Sequence, residues 1–137
     1  MDYLLDTDLC IDAIKNRVPT VRVRLADALQ RGDHLFVPAI ASFELWYGVA
    51  KSGIPEANAR LVSAFLSGVT GLLPFDEEDA RAAGSIRANL EKSGKLIGAY
   101  DLLIAGQALR NGMTLVTANV REFSRVDGLQ WQNWAKP

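Results

Sequence analysis

Four short apolar runs constrain the fold more than any other feature: Tyr3-Leu4-Leu5, His34-Leu35-Phe36-Val37, Gly71-Leu72-Leu73 and Met113-Thr114-Leu115-Val116. Each is nearly continuous in apolar residues and bounded by turn or capping residues, as strands buried on both faces are. Helical patterns separate them, over 8–16, 19–31, 41–52, 56–68, 77–93 and 100–111. Thr7 or Asp6 is placed to cap the first helix, and Pro19 suits the first turn of the second. Ser42 or Pro38 stands at the start of the third, Gly84 weakens the fifth locally, and Gly112 stops the last. This alternation predicts an α/β fold, a mostly parallel central sheet flanked by helices. With 137 residues and no linker, charge block or internal repeat, the expectation is one domain spanning 1–137. In such folds ligands bind beyond the carboxyl ends of the strands, so that edge is where functional side chains are sought.

Composition narrows the chemistry. There is one Cys (Cys10) and one His (His34), which excludes an internal disulfide, a Cys/His zinc site and catalysis by paired histidines. Any chemistry rests on carboxylates. A net charge of −1 argues against a generally basic nucleic-acid binder, so a polyanion has to be met by a local patch or a metal ion. No apolar run approaches the roughly 18 residues of a membrane-spanning helix, and Met1-Asp2-Tyr3 does not begin a secretion signal. The expected location is cytoplasmic, away from membranes.

The carboxylates fall where a parallel sheet would expose them. Asp6 ends the first strand, either as a helix cap or as a site residue, and Asp8 follows as a first-turn acid. Glu44 sits among Phe43, Leu45, Trp46 and Tyr47, an apolar setting that makes burial costly without a partner. Asp101 opens a strongly apolar helix, as a first-turn acid or as part of a site. Thr117 and Asn119 follow the last strand, Asn119 as a turn residue or a site residue, with Glu122 nearby. Together three carboxylates and an Asn approach one cleft. Their mutual repulsion calls for a cation, and oxygen donors without His or Cys point to Mg²⁺ or Mn²⁺.

These motifs resemble a PIN-domain ribonuclease, and more closely the VapC toxins of VapBC toxin–antitoxin pairs. The resemblance runs through Leu4-Leu5-Asp6-Thr7-Asp8, Ser42-Phe43-Glu44-Leu45-Trp46-Tyr47-Gly48, Ile97-Gly98-Ala99-Tyr100-Asp101-Leu102-Leu103-Ile104-Ala105 and Val116-Thr117-Ala118-Asn119-Val120-Arg121-Glu122-Phe123, almost the whole chain. It implies a metal-dependent endoribonuclease in which Asp6, Asp101 and Glu44 hold Mg²⁺ or Mn²⁺. Asn119 would be the fourth catalytic position, often Asp in the family, and Glu122 a substitute carboxylate. Thr7 and Thr117 would be supporting hydroxyls. Lys15, Arg17, Lys92 and Lys95 are candidate contacts to the RNA backbone.

The resemblance also implies an RNA substrate, a VapB-type antitoxin partner and a homodimer. Apolar faces such as Phe43/Trp46/Tyr47 and Phe65/Leu66 are candidates for those protein contacts. The Asp-Thr start and Arg-Glu-Phe tail resemble relatives that cleave initiator tRNA. Two rival readings stand beside this one. One is a haloacid-dehalogenase-like phosphatase with Asp6 as nucleophile, which would need an acidic pair after the last strand. The other is a receiver-like signalling module with Asp76 as phosphoacceptor, which would need a Lys there.

Overall fold

The structure, a computed structural model, describes residues 1–136; Pro137, the last residue of the expected domain, lies outside the described residues. The order along the chain is β1 (Asp2–Leu5), α1 (Thr7–Lys15), α2 (Pro19–Gln30), β2 (His34–Pro38), α3 (Ala39–Lys51), α4 (Pro55–Gly68), β3 (Gly71–Leu73), α5 (Glu77–Lys92), α6 (Ala99–Arg110), β4 (Thr114–Val116), α7 (Val120–Phe123) and β5 (Trp131–Gln132). The strands form one sheet in the order β3-β2-β1-β4-β5, and every neighbouring pair is parallel. Leu4, Leu5, Leu35, Val37, Leu115 and Val116 have almost no solvent exposure, which accounts for the continuous apolar runs.

Two elements were not expected. β5 is only two residues long and pairs with β4 through Leu115 and Val116, too short to leave a periodic signal. Just beyond it Trp134 is fully buried, edge-on to Tyr3 of β1 with ring centroids 4.9 Å apart. α7 is a single turn that Asn119 caps through its side chain. α3 begins at Ala39, two residues before the expected start, because Pro38 supplies the extended residue ahead of it. α5 runs unbroken through Gly84, which faces open space.

The receiver-like reading loses its phosphoacceptor here. Asp76 caps α5 in a reciprocal capping box with the buried Asp79, and it follows β3, an edge strand. Asp8 is exposed on the first turn of α1. Phe65 and Leu66 pack against the core rather than standing free, whereas Phe43, Trp46 and Tyr47 are exposed. Among the described residues no helix is long and apolar enough to cross a membrane.

Candidate active site

Sheet order makes the site. β1 and β4 lie side by side in the middle, so their carboxyl ends open together, flanked by the first turns of α1, α3 and α6. Asp6 is buried at the floor. Its Oδ1 accepts the Leu9 backbone N–H at 2.9 Å, capping α1, while Oδ2 accepts the Thr117 hydroxyl at 2.5 Å. It is therefore both a helix cap and a cleft residue. Thr117 Oγ1 also accepts the Asn119 N–H at 2.9 Å, which ties β1 to the segment after β4. Glu44, half-buried on α3, accepts the Thr7 hydroxyl through Oε1 at 2.7 Å.

On the opposite bank Asp101 stands in the first turn of α6, and Glu122 leans toward it from α7. Glu122 Oε1 accepts the Gly98 N–H at 3.0 Å, and its Oε2 accepts the Asn119 amide at 2.5 Å. The same amide reaches Asp101 Oδ2 at 3.4 Å. Asn119 thus donates toward two carboxylates; in this structure it braces acids rather than standing in for one.

The charges are crowded. Burial pushes the Asp6 carboxyl up to about 6, against the lowering pull of its bonds from Thr117 and Leu9. Asp101 is pushed up to about 7 by burial, by sharing a proton with Glu122, and by the charges of Glu122, Asp6 and Glu44. Glu122 moves the other way, below its ordinary range, because Asp101, Asn119 and Gly98 all donate to it and Arg125 lies near. The two carboxyls are thus pushed apart, Asp101 up and Glu122 down.

Among the described residues no three acidic, His or Cys side chains form a ready-made metal cage. The donor set nonetheless suits a small hard cation: all-oxygen and carrying more negative charge than it can keep ionised. Mg²⁺ is commonly held by one or two carboxylates and retains waters, so it needs no closed protein cage.

A groove of about 600 Å³ opens beside Glu44, between α1, α3 and α4. Lys15 and Arg17 line it with Thr7 and Glu44, as does Lys51, which sequence reasoning had not singled out. Lys92 and Lys95 do not line this groove; both are exposed, at the end of α5 and in the turn leading to α6. Arg125 was also missed. It donates to the Leu96 carbonyl at 3.1 Å and faces Glu122. Only its place three residues after Glu122 hinted at this, since the two share one short helical turn and its exit.

Known proteins resemble this chain over nearly its whole length. The PIN domain family model matches residues 3–129. The chain is 38% identical over 135 residues to a tRNA(fMet)-specific endonuclease VapC of Shigella flexneri, covering 98% of this chain and 99% of that protein. It is 40% identical over 134 residues to Ribonuclease VapC2 of Haemophilus influenzae, covering 98% of each. Among solved structures, VapBC2 from Rickettsia felis, bound to a DNA fragment from its promoter, superposes with a TM-score of 0.91 at 35% identity, covering 98% of this chain and 99% of that one. A family model that matches nearly the whole chain, and relatives 38–40% identical to it over almost their full length, show that the chain belongs to the PIN-domain family and, within it, to the VapC ribonucleases.

Proposed function

We propose that the chain, acting as one PIN domain in the cytoplasm, is a Mg²⁺-dependent endoribonuclease of toxin type. Its substrate class is tRNA, Mn²⁺ can replace Mg²⁺, and a VapB-type antitoxin inhibits it. What supports this reading is that Asp6 at the end of β1 and Glu44 on α3 both act by charge on Asp101 of α6, in a chain alike over nearly its whole length to a tRNA(fMet)-specific endonuclease.

Asp6, Asp101 and Glu44 would hold the cation, which when bound makes a water a better nucleophile and offsets charge on the phosphoryl group. A bound cation would favour the ionised form of Asp101, offsetting its repulsion from Glu122. Glu44, steadied at Oε1 by Thr7, is the base that takes the proton of the attacking water. Hydrolysis leaves a 5′-phosphate and a 3′-hydroxyl. Lys15, Arg17 and Lys51 meet the phosphates of the RNA on the groove side, supplying locally the positive charge that the whole chain lacks. The apolar floor of the groove, with Ile11, Ile14, Leu61 and Val62, suits a segment of the antitoxin. Exposed Trp46 and Tyr47 suit contact within a homodimer.

The test is direct. Purified protein is incubated with total RNA and Mg²⁺, and new 5′ ends are sequenced. Cuts concentrated in tRNA, abolished by EDTA and by co-purified antitoxin, are expected; no cleavage at any divalent-metal concentration sinks the reading.

Asn119 gives a sharper variant. Asn119→Asp removes the amide that donates to Glu122 and Asp101 and adds a third negative charge. Cleavage is expected to fall at low Mg²⁺ and to recover as Mg²⁺ is raised, in a metal titration of the rate. Equal rates at low Mg²⁺ would show that the amide donation is dispensable.

A further inference from the structure

We propose that Phe43 and Tyr100 form a stacking platform for an unpaired base of the RNA beside the scissile phosphodiester. This rests on the ribonuclease reading and adds to it a base-binding subsite.

Each ring belongs to the residue immediately before a cleft acid: Phe43 precedes Glu44 on α3, and Tyr100 precedes Asp101 on α6. The two helices thus bring one aromatic apiece to the mouth. The ring centroids are 5.6 Å apart at an interplanar angle of 73°. Edge-to-face packing of this kind fixes both rings while leaving faces uncovered. Both side chains remain in water, Phe43 at 52% and Tyr100 at 47% exposure. Aromatics of this size are ordinarily buried, so two held together and left open mark a surface awaiting a partner.

The partner is a nucleobase because of what adjoins the pair. Substrate phosphate must come to Glu44 and Asp101, which puts the neighbouring bases within reach of the rings. Single-stranded RNA is typically gripped by stacking splayed bases on aromatic side chains. Lys15, Arg17 and Lys51 line the groove beside Glu44, positive charge for further phosphates of the strand. A second copy of the chain seated on the same rings would instead cover the mouth and strip water from Glu44 and Asp101, a costly burial of charge.

The platform is tested by cleavage kinetics on a short single-stranded RNA, intact or with one abasic nucleotide next to the cut. Tyr100→Ala and Phe43→Ala are expected to raise KM roughly ten-fold or more, with a far smaller change in kcat. Tyr100→Phe should restore most of the loss, and Val23→Ala, an exposed apolar residue on α2, should change nothing. The abasic substrate should weaken the unaltered protein about as much as Tyr100→Ala does, with no further loss when the two are combined. Unchanged KM in both alanine variants overturns the platform, as does a change in sedimentation mass without a change in KM, which would make the face an interface between copies. Absence of cleavage by the unaltered protein would instead overturn the ribonuclease reading itself.

Discussion

Asp6→Asn is expected to cut RNA cleavage by on the order of 10³-fold while making the metal-free protein more stable at neutral pH. The first effect follows from removing a charge at the cleft floor. The second follows from burial. In an unfolded chain the carboxyl releases its proton near its ordinary value of 3.8, whereas in the folded protein it does so only at about 6. Between those values the unfolded state ionises first, so folding stability falls as pH rises, and above about 6 the full penalty is in place. That gap corresponds to about 3 kcal/mol, all of it absent below pH 3.8.

Asn carries no charge to desolvate and still caps α1 through its side-chain oxygen, as Asp6 Oδ1 does for Leu9. Calorimetry in EDTA should show little difference between the proteins at pH 4 and a gap of several degrees in favour of the variant at pH 7.5. Asp101→Asn should behave alike in direction, its penalty developing up to about pH 7 and partly offset by the lowered Glu122. An Asp6→Asn variant that is less stable at pH 7.5, or that cleaves RNA at the normal rate, would remove Asp6 from the site.

Gly106→Ala should be the most damaging small substitution away from the acids. Gly106 lies on α6 where that helix crosses α5, and a methyl there would stand 2.7 Å from the backbone nitrogen of Ala83 and 2.8 Å from its Cα. Backbone cannot swing aside as a side-chain tip does, so the helices must separate. Overpacking of this kind costs about 1–3 kcal/mol, more than the roughly 1 kcal/mol of helix propensity that Ala adds. Because Asp101 rides on the first turn of α6, cleavage should weaken as well. Gly84→Ala on α5 is the matched control. It meets nothing within 4 Å, so it should gain roughly 0.5–1 kcal/mol from propensity and leave activity alone. Equal melting temperatures for the two variants would show that the crossing is looser than its geometry states.

Much of this architecture was legible because burial on both faces leaves an unmistakable mark. Leu4-Leu5 and Leu115-Val116 read as buried strands and are. β5 was not legible, since Trp131 and Gln132 have no alternation and depend on β4 for their pairing. α7 was hidden by its single turn. Among the candidate site residues, periodicity located the acids at strand and helix ends but could not orient them. That Asp6 both caps α1 and meets Thr117 depends on β1 and β4 being adjacent, a pairing between distant parts of the chain. Glu122 was noted as a substitute carboxylate; its attachment to the Gly98 N–H needed the turn before α6 in three dimensions. Lys15 and Lys92 look alike in sequence, and only the fold puts one in the groove and the other on open surface.

The central adjacency of β1 and β4 also bears on when the protein becomes dangerous. Synthesis makes Asp6 and Glu44 early, Asp101 and Thr117 late, and the Trp134 that packs on Tyr3 later still. A growing chain that has reached α3 carries only half of its acids. The other half arrives with α6 and the strand that must slot in beside β1. Until then the fragment has neither the cleft nor the crowding of charge that draws a cation. The topology withholds the assembled cleft until α6 and β4 have been made.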